Sequence, residues 1–398
     1  MKIGMLTNAY KPYISGVTNH IALSKKFLEL AGHEVYVFTF GDEDYKDDEP
    51  NIIRSPGLPL VDTGFYISLR LSSAARKLLY TMDLVHVHHP FQSGNLALRY
   101  CKPRGIPVVF TNHTRYDLYA QAYLPFLPDA ISETALRAYL PAFCRACDLI
   151  ISPSKGLQQV LVHLGVDAPI EVIPNGVDLT PFQQTHEPIN AAKLGIPKDH
   201  VILMYVGRLG PEKNLPFLIR AFGGLAQALE KVSLVLVGEG PEHDNLLDQA
   251  FHAGLDHRIR FTGFVPYNEL PSYLAMADAF VTASVTEVHP LSVIEALASG
   301  LPVLGIASPG VEDTVKDGET GYLTTHDLAA FTAKMVLLVT DHEARKRMSE
   351  KARQSAQDYD IRHITQILLR HYDRLYQASR QARQGVSKRL IRMLDRWS

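Results

Sequence analysis

The run Lys2-Ile3-Gly4-Met5-Leu6-Thr7 reads as a buried strand, and Glu34-Val35-Tyr36-Val37-Phe38-Thr39-Phe40 reads as a second one. Between them a loop over 8–16 leads into a helical stretch from about Val17 to Ala31, which Gly32-His33 stops. Strand, helix and strand in that order form a βαβ unit. A right-twisted strand feeding a right-handed helix packs back on its sheet in one hand, so the two strands belong to one parallel sheet. The second half starts a fresh series, with a strand over 201–207, a helix over 216–229 and a strand over 233–237. At 398 residues the chain has room for two domains, on a soft scale of ~150 residues each. The expectation is an α/β protein with two parallel sheets.

Composition narrows the classes. An apolar fraction of 46% is that of an ordinary globular protein, and a net charge of −2 argues against a nucleic-acid binder. Three cysteines imply no disulfide framework and fit a reducing compartment. Cys144 and Cys147 form a lone C-x-x-C with no second pair or neighbouring histidine, so a structural role is expected. No apolar run approaches ~18 residues, so no membrane span is expected, and the first residues lack a signal-peptide layout.

The chemistry concentrates in Ser284-Val285-Thr286-Glu287-Val288-His289-Pro290-Leu291-Ser292-Val293-Ile294-Glu295-Ala296-Leu297-Ala298-Ser299-Gly300-Leu301-Pro302-Val303. A strand-like run, 279–284, precedes it. Pro290 suits the first turn of a helix, Leu291 to Ala298 are mostly strong helix formers, and Gly300 with Pro302 stops them. Glu287 then sits in the loop after a strand and Glu295 inside the helix. Free amides near Leu291 and Ser292 make an anion socket at the helix N-terminus. Two carboxylate acceptors and one phosphate socket are what a nucleotide-sugar needs. Arg208 and Lys213 lie five residues apart in the loop after the strand 201–207. On their own they read as two surface charges.

In the first half, Ser15-Gly16-Val17 precedes the first helix, and Gly16 lets a diphosphate approach backbone amides. The pattern is not G-x-G-x-x-G, which disfavours a nicotinamide site. The strand over 107–111 delivers Asn112-His113-Thr114-Arg115-Tyr116-Asp117 at its carboxyl end, where open α/β sheets keep their sites. His86, His88 and His89 look like a metal cluster, but His89 begins a loop and no carboxylate joins them, so structural histidines are expected. Residues 55–73 hold Leu58, Leu60, Val61, Phe65, Tyr66, Ile67, Leu69 and Leu71 with Arg70, Arg76 and Lys77 following. Two readings stay open here: a core-packing loop, or an apolar lip with a cationic rim that meets lipid, with Phe65 and Tyr66 as acceptor contacts.

The E-x7-E run with Glu-Ala-Leu-Ala-Ser-Gly-Leu-Pro-Val resembles the signature of retaining glycosyltransferases of family four. The resemblance extends to the glycine loop, the His-Thr pair, the Pro-Asn-Gly-Val-Asp stretch at 174–178 and the Arg208–Lys213 loop. The pattern of Tyr116 and Tyr119 after His113 is similar to bacterial diacylglycerol glycosyltransferases. Val288-His289-Pro290 stands where many members have a Gly-Phe-Gly-like run, a departure that bears on the donor sugar. The resemblance implies a GT-B fold: two facing Rossmann-like domains with parallel sheets, 1–178 for the acceptor and 179–357 for the donor, then 358–398 as a helical return. It implies Glu287 on hydroxyls of the donor sugar, Glu295 on the ribose and Arg208 with Lys213 as a diphosphate clamp. It also implies the backbone near Val265 against the base, His113 near the anomeric carbon, and Tyr116 with Tyr119 as acceptor contacts. Ser308 to Asp313 resembles the family's Gly-Gly-x-x-Glu turn. No metal and no bound cofactor are expected. The co-substrate is a nucleotide-sugar, with UDP-hexose favoured. Retaining transfer of glucose or galactose to a membrane lipid such as diacylglycerol is the leading expectation. The alternatives are a cytosolic enzyme with a soluble or polyprenyl-linked acceptor, including a GDP-mannose-dependent one, and a silent nucleotide-sugar-binding protein.

Residues 370–398 carry eight basic and two acidic side chains, a local charge of +6. Leu390, Ile391, Leu394 and Trp397 recur at helical steps. That composition suits an amphipathic helix on an anionic membrane, which predicts a cytoplasmic protein held peripherally at the inner face of the cell membrane.

Overall fold

The computed structural model describes residues 1–59, 66–118, 129–184 and 186–394, with the backbone alone for 129–133 and 383–394. In chain order the strands of the first half are β1 (Lys2–Leu6), β2 (Glu34–Phe40), β3 (Ile52–Ser55), β4 (Leu58–Pro59), β5 (Tyr66–Ile67), β6 (Leu84–Val87), β7 (Val108–Thr111), β8 (Leu149–Ser152) and β9 (Ile170–Val172). Those of the second are β10 (Val201–Val206), β11 (Val232–Val237), β12 (Ile259–Gly263), β13 (Ala279–Thr282), β14 (Val303–Ile306) and β15 (Gly321–Thr324). Two parallel sheets result, in the orders β3-β2-β1-β6-β7-β8-β9 and β12-β11-β10-β13-β14-β15, while β4 and β5 form a small antiparallel hairpin. Both faces of each large sheet are covered, which is why strands such as Val232–Val237 are apolar and buried throughout rather than alternating.

The strand order decides where a site can form. Each sheet reverses direction once, between β1 and β6 in the first and between β10 and β13 in the second. Loops leaving the carboxyl ends of those strands diverge and open a crevice at the reversal. The loops over 7–15 and 88–91 meet in the first half, and those over 207–214 and 283–290 in the second.

The first helix, Gly16–Leu30, begins one residue earlier than its pattern suggested. Ser15 caps it, accepting from the Thr18 amide at 3.2 Å while Thr18 Oγ1 accepts from the Ser15 amide at 2.8 Å. The stretch after Leu179, which reads as a polar linker, contains the short helix Thr180–Gln183 and packs Phe182 and Ile196 into the core of the second half. The edge strand β3 was not legible, because four residues beside an acidic loop carry too little periodicity. The chain ends in a 34-residue helix, Ile361–Leu394. It returns to the first sheet, where Ile364, Leu368 and Tyr372 pack with Ile3, Met5 and Val35. No described helix is long and apolar enough to cross a membrane.

Candidate functional site

At the reversal of the second sheet, the loops after β10 and β13 are laced together. Lys213 Nζ donates to Glu287 Oε1 at 2.7 Å, Asn214 Nδ2 donates to the Ala283 carbonyl at 3.0 Å, and the Ser284 and Thr286 hydroxyls donate to the Glu212 carbonyl at 3.2 Å each. Burial alone would lower the Lys213 ammonium; the Glu287 carboxylate, with Tyr205 and Glu212, outweighs it and holds the ammonium above its ordinary value. Arg208 stands 3.6 Å from the buried Glu212 carboxylate. The sequence places these four charges in two distant segments, and the strand order brings them to one crevice.

The helix Leu291–Ala298 starts and ends where its composition predicts. Pro290 is its N-cap, one position outside the first turn expected for it, and no side chain caps the amides that follow. The amide ends near Leu291 and Ser292 therefore keep the polarity that suits an anion. Glu295 is 6% exposed, and burial pushes its carboxyl up to about 7, partly opposed by the Tyr267 hydroxyl that donates to Oε1 at 2.9 Å. Tyr267 comes from the loop after β12, two residues past the half-buried Val265. Nothing in the sequence marked it, because its partner lies on another element.

The departure Val288-His289-Pro290 is built into the joint between the two halves. His289 is buried, its carbonyl accepts from Asn175 Nδ2 at 3.0 Å, and its ring meets Tyr359 edge-on. The 308–313 segment is a short helix, Pro309–Thr314, rather than a turn. Gly310 is required there: its amide donates to the Glu287 carbonyl at 3.0 Å, and a Cβ would lie 2.3 Å from the Val288 carbonyl carbon.

On the first sheet, Gly16 is exposed and a Cβ there would point into open space. His113 leaves β7 and joins His88 after β6, with His88 Nδ1 and His113 Nε2 at 3.0 Å. His20 on the first helix completes a buried group, its ring centroid 4.7 Å from that of His113. His86 stays out of it: its two nitrogens are taken by the Tyr372 hydroxyl at 2.5 Å and the Thr111 hydroxyl at 2.7 Å. The histidine cluster is thus His20, His88 and His113, not His86, His88 and His89. Ligand atoms of those three lie within 4.8 Å of one another. His20 was hidden because a helical histidine gives no hint of which strand end it faces.

Tyr116 packs edge-on against Phe91. Tyr66 is half-buried in the hairpin, whose backbone is pinned by the Gln92 carboxamide at 3.0 and 3.1 Å. Phe65 and Tyr119 lie outside the described residues. The lip divides: Leu58 and Leu69 are 76% and 85% exposed, whereas Leu71 is in the core. Cys144 is buried, which raises its thiol to about 12 and suits a structural role.

Residues 187–355 match the family described as glycosyl transferases group 1, and residues 14–181 match glycosyltransferase family 4. An alpha-monoglucosyldiacylglycerol synthase of Acholeplasma laidlawii is 32% identical over 81% of this chain and 84% of its own. A protein of the same name from Streptococcus pneumoniae is 30% identical over 86% of this chain and 79% of its own. Among solved structures, that of an Anabaena protein in complex with UDP and glucose superposes with a TM-score of 0.78 at 22% identity, covering 94% of this chain and 99% of that one. The sucrose-phosphate synthase of Thermosynechococcus elongatus gives 0.77 at 22% identity, covering 95% and 100%. The shared architecture is GT-B.

Proposed function

Because the chain belongs to glycosyltransferase family 4, we propose that it transfers a hexosyl group from a nucleotide-diphosphate sugar to a membrane lipid, with retention at the anomeric carbon. Glucose from UDP-glucose to diacylglycerol is the reading we favour. The observation that carries it is the second crevice, where Lys213 and Glu287 pair beside the uncapped helix that bears Glu295. The names of the two bacterial relatives support the sugar and the lipid.

In this reading Glu287 accepts from hydroxyls of the transferring sugar and Glu295 from the ribose. Val265 lends its backbone to the base, and Pro290 sets the entry of the helix. Arg208, Lys213 and the amides at Leu291 and Ser292 stabilise the diphosphate as charge develops on it. The donor phosphate oxygen takes the acceptor proton as the acceptor oxygen attacks the same face that the diphosphate leaves, so neither glutamate is a nucleophile. Gly16 faces the donor across the crevice, and Tyr116 and Tyr66, with Tyr119 and Phe65, meet the acceptor. With these cations in place no divalent ion is needed. The exposed Leu58, Ile67 and Leu69 lie at the membrane surface.

The test is a screen of UDP- and GDP-sugars against diacylglycerol vesicles and soluble acceptors, run with and without exhaustive chelation. We expect lipid product from UDP-glucose, unchanged by chelator. Product only on a soluble acceptor, or only from GDP-mannose, would replace the lipid reading; restoration by magnesium after chelation would remove the cationic clamp.

A further inference from the structure

We infer that His88 is a positioning residue that fixes the tautomer of His113, so that His113 carries its proton on Nδ1 and its lone pair on the Nε2 that faces His88. The ring planes of the two residues lie within 20° of each other with centroids 5.2 Å apart, and the facing nitrogens are at 3.0 Å. They therefore meet edge to edge along one hydrogen bond rather than face to face. Burial, reinforced by the neighbouring histidines, holds both imidazoles well below their ordinary pKa, so each carries a single proton. The shared line holds one proton, and which ring supplies it decides the chemistry of His113.

The other nitrogen of His88 makes the choice. His88 Nε2 is buried and has no hydrogen-bond partner among the described residues. If His113 donated along the line, the proton of His88 would sit on Nε2 as a buried, unpaired N–H. If His88 donates from Nδ1, Nε2 is a bare lone pair. Unpaired buried N–H groups are the rarer of the two defects. His88 thus donates and His113 Nε2 accepts, which puts the proton of His113 on Nδ1. The packing holds His88 in that pose. His86 lies against it, with centroids 4.4 Å apart, and is itself fixed by Tyr372 of the terminal helix and by Thr111. As an Nδ1–H donor, His113 cannot take the proton of an incoming hydroxyl at that atom; it can hold a hydroxyl or sugar oxygen by donating to it. This consequence rests on the proposed transfer reaction, and it leaves the diphosphate as the proton acceptor. The tautomer itself stands on the histidine geometry.

The experiment is nitrogen-15 NMR of the full chain with labelled histidine, which separates Nδ1–H from Nε2–H rings by their couplings, with His113→Asn used to assign the signal. We expect His113 and His88 both as Nδ1–H. His88→Asn keeps a donor at the position of Nδ1 and should leave the His113 tautomer in place. His88→Asp offers only acceptors, so His113 should move its proton to Nε2. Turnover in His88→Asn should stay within about threefold of the parent and fall about tenfold or more in His88→Asp, with nucleotide affinity unchanged as the check on folding. A parent His113 in the Nε2–H form overturns the inference, and so does a tautomer that His88→Asp leaves unmoved. Stoichiometric zinc shifting the nitrogens of His20, His88 and His113 together would also overturn it, because the pair would then be metal ligands. If no acceptor is glycosylated while the tautomers are as stated, it is the proposed reaction that falls.

Discussion

Glu295 shows how a buried carboxylate couples binding to pH. Its carboxyl is raised from 4.5 to about 7 by burial; in the proposed ribose role, the ionised form, accepting at both oxygens, is the stronger partner for the hydroxyls. Affinity for the nucleoside diphosphate should therefore fall as pH drops through about 7, approaching tenfold per unit below it. Tyr267→Phe removes the hydrogen bond that opposes the shift, so the midpoint should move upward. The sign for stability is the reverse: because the folded value lies above the unfolded one, this group's contribution is full below about 4.5 and is lost as pH rises to about 7. Calorimetric titration from pH 6 to 8 checks the binding, and a flat profile would detach Glu295 from the ribose. Glu295→Ala should weaken nucleotide binding by roughly 1.5–3 kcal/mol, while Glu287→Ala should lower turnover by a similar factor and spare nucleotide affinity. Equal nucleotide affinity in Glu295→Ala and the parent would exclude that role. The glutamates were legible because a strand, a proline and a helix stop flank them. Tyr267 and His20 were not, since each acts on a residue far away in sequence.

At the scale of elements, the contact between the helix Pro309–Thr314 and the loop before Leu291–Ala298 is a tight constraint on the second crevice. Gly310→Ala puts a methyl group against the backbone of Val288 and His289, and backbone cannot step aside as a flexible side chain does. The substitution should cost about 1–3 kcal/mol of stability by overpacking and shift Glu287 with it. A lower denaturation midpoint together with reduced turnover is the expected result; an unchanged midpoint would mean that the loop has room the geometry denies it. The helix Leu291–Ala298 could be read to the residue because its formers and its stop are adjacent. For the short helix at 309–314 the family resemblance implies a turn, and the Ser308-Pro309-Gly310 opening carries turn chemistry and helix chemistry alike.

For the whole molecule, the terminal helix ties the chain's end to its beginning through Tyr372 and His86. Its first turns, through Ile364, Leu368 and Tyr372, pack on the first sheet, and most of the basic excess follows Tyr372 in the sequence. We expect truncation after Gly385 to reduce sedimentation with anionic vesicles and activity on lipid, with nucleotide binding intact, since each basic residue near such a surface is worth ~1 kcal/mol. Equal binding of full-length and truncated protein at low salt would dismiss the tail as the anchor and favour a soluble acceptor.

The sequence by itself determined two parallel α/β halves, the positions of Glu287 and Glu295 along their element, and the carriage of His113 to a strand end. These follow from local rules: apolar runs, helix stops and the single hand of βαβ crossovers. Only the tertiary structure decided that Lys213 pairs with Glu287, that Tyr267 meets Glu295, and that His88 rather than His86 meets His113. The physical reason is the reversal of strand order in each sheet. It brings loops from distant segments to one crevice, and no periodicity within either segment records the neighbour it will find there.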